Sequence, residues 1–231
     1  MRKDFFKGFS DGLPIGLGYL SVSVAFGILA VGAKLSAFFA WLISASNLTS
    51  AGQAAGVEVI AAGGTLIEMA LTQLVINLRY SLMGFSLTQK LDKSFTTPKR
   101  LILAFGITDE IYAVAASKKG KISASYMAGL MVLPFIGWTG GTVIGAVASQ
   151  LLPEFIASVM GIMLYGMFLA IFIPEAKKSR AVLLTVIIAM ASSVVFRYVL
   201  TFVSGGFAII LSALIAAAVC ALLFPVKEDE D

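Results

Sequence analysis

A chain of 231 residues that is 59% hydrophobic and only 13% charged, with a mean hydropathy of +0.96, carries more apolar surface than a soluble domain of that length can bury; charged residues ordinarily make up about a quarter of soluble sequences. The net charge of +4 is spread over short basic clusters between apolar segments, the pattern of loops in membrane proteins rather than of a nucleic-acid surface. A single cysteine, Cys220, and the absence of histidine exclude an intrachain disulfide, argue against a metal site and remove the commonest catalytic base.

The chain opens with a basic, aromatic stretch, residues 1–10, and a first apolar run at 13–33 that is too long for a signal-peptide core and reads as an uncleaved span. Further apolar segments follow at 36–50, 65–87, 101–117, 124–151, 155–173, 181–202 and 207–224. Several of them approach or exceed the ~20 residues a helix needs to cross the hydrocarbon core. They are continuously apolar, unlike the alternating strands of a membrane β-barrel. The expectation is an all-α polytopic membrane protein of seven or eight crossings, forming one transmembrane domain over 1–231. Pro14 and Pro134 read as helix openers.

Two segments resist simple assignment. Residues 36–50 are short for a span, and the following 51–64 are interrupted by Gly52, Gly56, Gly63 and Gly64. Two half-helices meeting near Gln53 would make a re-entrant or broken element, tolerated only where protein or water surrounds it; the other reading is a short span and a polar loop, with Glu58 in the loop. Residues 101–117 have basic clusters on both sides, Lys90/Lys93/Lys99/Arg100 and Lys118/Lys119/Lys121. Either this segment does not cross fully or one cluster breaks the positive-inside rule, which otherwise places the N-terminus in the cytoplasm. Glu154, beside Pro153, reads as an interfacial helix start.

A faint internal repeat relates 12–117 to 123–225. Leu13-Pro14 with Gly18-Tyr19 recurs as Leu133-Pro134 with Gly137-Trp138, Gly27 as Gly145, and Arg79-Tyr80 as Arg197-Tyr198. Duplicated halves occur in secondary transporters, whose substrate site lies where the halves meet. Whether these would run parallel or inverted stays open with the crossing count.

The polar residues within apolar segments are the candidates for chemistry, because lipid offers them no partner. Glu68, Thr72 and Arg79 share one helical face, but eleven residues place Glu68 and Arg79 ~16 Å apart along the axis, too far to pair. Gln73 and Asn77 occupy the roughly opposite face. Arg79 either belongs to a transport path or snorkels to the headgroups. Asp109 and Glu110 are adjacent carboxylates in an apolar segment that point about 100° apart; they either serve ion or proton exchange or are solvated at the surface. No phosphate-binding loop, zinc-protease motif or catalytic triad is present, so neither an enzyme nor a cofactor is expected.

Several motifs together carry a family resemblance. Gly12-Leu13-Pro14-Ile15 with Gly18-Tyr19, then Ala25-Phe26-Gly27-Ile28-Leu29-Ala30, resembles the opening of the AzlC family, the large subunits of bacterial branched-chain amino acid exporters. The small-residue run from Ser44 to Gln53, the element Asn77-Leu78-Arg79-Tyr80-Ser81-Leu82 and the segment Thr108-Asp109-Glu110-Ile111-Tyr112 follow in the family's order, with Tyr80 where the family usually has histidine. The resemblance implies an inner-membrane permease that works with a small membrane partner of the AzlD type and exports valine, leucine, isoleucine or related amino acids on the membrane gradient. Gln53, Gln73, Asn77 and Arg79 would bind substrate, and Glu68, Asp109 and Glu110 would couple ions or protons. A tyrosine, with a pKa near 10, does not replace histidine as a proton carrier. A channel and a structural subunit of a transport complex are the alternative readings.

Overall fold

The computed structural model describes residues 2–149 and 176–225, with positions 166, 169, 173 and 174 between them. Nine α-helices are delimited among the described residues: α1 (Arg2–Gly32), α2 (Ala37–Ser46), α3 (Ala51–Ala61), α4 (Leu66–Thr88), α5 (Thr97–Ala104), α6 (Asp109–Ser117), α7 (Ala124–Ala148), α8 (Arg180–Tyr198) and α9 (Gly205–Leu223). Four of them, α1, α7, α8 and α9, are long and apolar enough to cross a membrane. The 23 residues of α4 reach ~34 Å, also enough to span, but carry Glu68, Gln73, Asn77 and Arg79. The protein is an all-α polytopic membrane protein. The segment expected at 155–173 and Glu154 lie outside the described residues, apart from three positions in that segment.

The chain forms two compact units. One comprises Met1–Val57 and Asn77–Leu164, the other Glu58–Ile76 and Tyr165–Asp231. The first is built on α1 and α7. A Cβ at Gly8 would meet the Tyr126 carbonyl, at Gly16 that of Leu133, at Gly137 that of Gly16, at Gly145 that of Val24 and at Gly27 that of Thr142. Contact advances in the same direction along both helices, so they lie parallel, and glycines let the backbones touch where lipid gives no hydrophobic drive to association. Leu13-Pro14 and Leu133-Pro134 thus sit on neighbouring parallel helices.

Neither proline opens a helix. Pro14 lies inside α1 and Pro134 inside α7. A helical proline frees the carbonyl four residues earlier. For Pro134 that is Leu130, whose oxygen lies so close to Gly12 that a Cβ there would be 2.5 Å away. The neighbouring helix, invisible to local sequence, accommodates the break.

α2 and α3 form a re-entrant hairpin. Ser36 caps α2 by accepting from the Phe39 N–H at 3.3 Å, and the helix stops at Ser46. Residues 47–50 make the tip. Ala40 of α2 and Val57 of α3 share an apolar cluster with Phe26, Ala30 and Ala146, whereas Ser44 lies by Thr142 and Gln53 by Trp138. α2 therefore descends along α7 and α3 climbs back; one continuous helix would hold Ala40 and Val57 ~25 Å apart. Glu58, expected in a loop, is helical: α3 continues to Ala61, with Val57 and Val59 buried and the Glu58 side chain exposed.

A second hairpin, α5 and α6, resolves the conflict between the basic clusters. Its helices have 8 and 9 residues, ~12–14 Å each, against a hydrocarbon core of about 30 Å. Its flanks are tied together. The Ile122 N–H donates to the Lys90 carbonyl at 2.8 Å, the Asp92 N–H to the Ile122 carbonyl at 3.0 Å, and the Lys121 ammonium to the Gln89 carbonyl at 2.7 Å. The Lys90 ammonium reaches the Lys118 carbonyl at 2.9 Å and that of Ala116. The chain thus enters and leaves at one end, and both basic clusters lie there. Leu87, Phe95, Ile111, Ile122, Tyr126 and Leu130 form the apolar core beneath them.

In the second unit, α8 starts at the Ser179 cap and α9 follows a short turn. Glu68 reaches the start of α9. Its Oε1 accepts from the Ser204 hydroxyl at 2.5 Å and from the Gly206 N–H at 2.8 Å.

Candidate functional site

Both hairpin tips end at the middle of the α1/α7 pair, and the residues that hold them there define the site. At the first tip, the Trp138 indole N–H donates to Gln53 Oε1 at 2.9 Å and Gln53 Nε2 donates to Ser44 Oγ at 3.0 Å. Ser44 Oγ lies 2.7 Å from Thr142 Oγ1, and the Thr142 hydroxyl donates to the Trp138 carbonyl at 3.0 Å. The ring of bonds begins and ends at Trp138. Gln53, Ser44, Thr142 and Trp138 are all buried. Leaving a buried polar group unsatisfied costs ~1–3 kcal/mol, so a closed ring of this kind pins the tip to α7.

At the second tip, α6 begins with Asp109 and is capped by Thr108, whose Oγ1 accepts from the Ile111 N–H at 3.4 Å. The two adjacent carboxylates thus stand in the first turn of a helix, where the partial positive charge of the unpaired amides favours them. They diverge, as helical geometry requires. Asp109 Oδ2 is 3.0 Å from Arg79 Nη1, and both side chains are 43% exposed. Glu110 instead accepts from the Tyr19 hydroxyl, which also lies 2.7 Å from Thr108 Oγ1. The Tyr19 ring packs edge-on against Trp138 at 5.3 Å between centroids. One aromatic pair therefore touches both tips, Trp138 the first and Tyr19 the second.

Arg79 and Tyr80 close the circle from α4. Arg79 Nη2 donates to the Tyr80 hydroxyl at 3.0 Å, and that hydroxyl donates to the Thr49 carbonyl in the first tip at 3.3 Å. Asn77 lies against the first turn of α3: a Cβ on Gly52 would fall 2.5 Å from Thr49 Oγ1 and 2.8 Å from Asn77 Oδ1, so only glycine admits both. Ser50, the residue before α3, has φ +50°, a conformation costing a non-glycine residue about 1–3 kcal/mol. Its hydroxyl oxygen is buried without a protein partner. α3 and α6 both present their N-terminal ends to this region. It combines a cation, two carboxylates, an uncommitted hydroxyl and two helix N-termini.

Gln53, Asn77, Arg79, Asp109 and Glu110 belong to the first unit, Glu68 and Gln73 to the second. Gln73, in the other unit, has its Nε2 3.9 Å from Met69 Sδ. Glu68 is buried at the start of α9, where a Cβ on Gly206 would come within 2.6 Å of its carboxylate. Sequence reading passes over Thr142, takes Ser44, Thr108 and Tyr19 only as parts of motifs, and takes Trp138 only as the mark of a repeat. The repeated Gly-aromatic pair was the available signal, since each aromatic follows a glycine of the α1/α7 segments.

Residues 14–152 match the family described as AzlC protein, which is more than half of the chain and includes every residue of both tips. The chain belongs to the AzlC family. It is also 30% identical over 222 residues to the inner membrane protein YgaZ of Escherichia coli K12, covering 92% of this chain and 91% of that one. A membrane protein of Archaeoglobus fulgidus is 28% identical over 175 residues, covering 75% of this chain and 76% of its own, and one of Helicobacter pylori J99 is 27% identical over 184 residues, covering 76% and 79%. No solved structure matches. α4, both tips, α7 and α1 from Pro14 onward fall in the matched stretch of this AzlC-family chain.

Proposed function

We propose that this protein is a secondary transporter that exports small apolar amino acids, valine, leucine and isoleucine among them, across the bacterial inner membrane. Family membership and membrane character support a transport role. The single observation that carries the substrate class is the meeting of Arg79, Asp109 and the N-terminus of α3 at the apposed hairpin tips. An amino acid zwitterion needs an anion site and a cation site a few ångströms apart. In this reading its carboxylate displaces Asp109 from Arg79 and takes the Ser50 hydroxyl and the α3 amides, as anions do at broken helices. Its ammonium goes to Asp109.

Gln53 then positions the tip, its amide being engaged at both ends, and Asn77 lines the entry to α3. Glu110, held by Tyr19, is the proton-exchanging carboxylate, since Tyr80 does not serve as a carrier. Glu68 anchors α9, and Gln73 lies off the path. In this reading the N-terminus is cytoplasmic, which the basic clusters support, and a small membrane subunit of the AzlD type completes the exporter.

The test is efflux of valine and leucine from dipeptide-loaded cells lacking other exporters, with and without this chain and its partner. Faster efflux with the chain is expected. Equal efflux, with the protein confirmed in the membrane, would contradict the substrate assignment.

A further inference from the structure

The second unit holds a cavity that the tips do not use, of about 400 Å³, within the ~300–1,000 Å³ range of small-molecule sites. Its lining joins an acid from α3, Glu58, to a base from the last turn of α8, Arg197. Ser193 and Thr201 add hydroxyls, and Phe196 and Ile209 supply an apolar wall. The start of α9 also borders it, but Glu68 already holds the Gly206 amide there, leaving Arg197 as the cation among the described lining residues.

We propose that this cavity is a second binding site for a zwitterionic α-amino acid with a small apolar side chain. Arg197 takes the carboxylate, Glu58 the ammonium, and the side chain lies against Phe196 and Ile209. The ligand class rests on the export reading; the site does not, because it stands on its own charges and walls. One cation and one carboxylate in the lining are the same types of group as Arg79 and Asp109. The cavity lies at the end of α8 remote from its basic start, Lys177, Lys178 and Arg180, which is the outer end under the positive-inside rule. An amino acid bound there is one that has reached, or remains at, the outer face.

Equilibrium binding of radiolabelled L-valine to the purified full-length protein in nanodiscs tests this. The expected result is two saturable equivalents per chain. Arg197→Gln and Glu58→Gln each remove one, and Ser193→Phe, which fills the cavity without touching either charge, removes the same one. Arg79→Gln removes the other, with the Kd of the remaining site unchanged within about twofold. Isovalerate and isobutylamine, each lacking one charge, should fail to displace valine from the Arg197 site. Two equivalents retained in both Arg197→Gln and Ser193→Phe would overturn the proposal. So would a single wild-type equivalent that only Arg79→Gln removes, and that result would leave the export reading standing. No saturable binding would also overturn the second site, with efflux from loaded cells then deciding the export reading separately.

Discussion

Adding one methyl group at Gly137 should disable the site without touching a polar residue. An alanine Cβ there would lie 2.2 Å from the Gly16 carbonyl oxygen, more than 1 Å short of ordinary contact, and both atoms are backbone or fixed to it. α1 and α7 must move apart by about that amount, and overpacking of this kind costs ~1–3 kcal/mol. Trp138 is the next residue. A shift of ~1 Å takes its 2.9 Å bond to Gln53 beyond hydrogen-bond range, which adds ~0.5–1.5 kcal/mol. The expected loss is about 1.5–4.5 kcal/mol. Gly140→Ala is the control, since nothing lies within 4 Å of its added carbon; alanine's higher helix propensity should leave that variant equal or slightly more stable. Unfolding midpoints in detergent and valine efflux are measured for both. Gly137→Ala matching Gly140→Ala in both assays would refute the packing argument and the role given to the Trp138 ring of bonds.

The remaining predictions follow from single contacts. Glu68→Ala should cost ~1–3 kcal/mol in unfolding assays by uncapping α9, while Glu68→Gln keeps a carbonyl acceptor and per-molecule efflux within about twofold; a collapse of efflux in Glu68→Gln at normal membrane levels would return Glu68 to the coupling path. The Asp92 carboxyl is held below the ordinary aspartate value of 3.8 by bonds from the Ser94 hydroxyl and N–H. A depressed pKa contributes stability that is present above the unfolded value and lost as pH falls through the folded one. The midpoint difference between wild type and Asp92→Asn should therefore stay constant down to about pH 5 and shrink below about pH 4, and a difference independent of pH would contradict it. Tyr80→His should give efflux a titration near pH 6.5, falling as the imidazolium forms beside Arg79; a pH profile unchanged from wild type would show that position 80 does not face the site.

Much of this architecture is legible in the residues, and the misreadings share one cause. Glu68 and Arg79 share a helical face but the axial rise keeps them apart, and the structure gives them different partners. The two basic clusters around 101–117 leave two readings, a segment that does not cross or a cluster that breaks the rule, and the tied flanks favour the first. Of the two readings open for 36–64, the structure takes the broken element, but the break falls at 47–50 rather than near Gln53, and Gly52, Gln53 and Gly56 lie inside α3. What sequence could not supply is tertiary. Arg79 and Asp109 are thirty positions apart and no local rule pairs them. Pro14 and Pro134 look like helix openers because the neighbouring helix that accommodates Pro134 lies more than a hundred residues away. Glu58 looks like a loop residue because the run of glycines around it hides a helix whose buried face is held by packing. The Trp138–Gln53–Ser44–Thr142 ring joins four ordinary residues from three helices, and only their juxtaposition makes them a unit.

The most direct test of the account is the rate of valine efflux from loaded cells carrying wild-type protein, Arg79→Gln or Asp109→Asn, each confirmed in the membrane. Arg79 and Asp109 are assigned the two charges of the substrate, and a hydrogen bond to a charged group is worth ~1.5–3 kcal/mol, so each variant should lose tenfold or more. Wild-type rates in both variants would contradict the claim that the paired hairpin tips form the transport site.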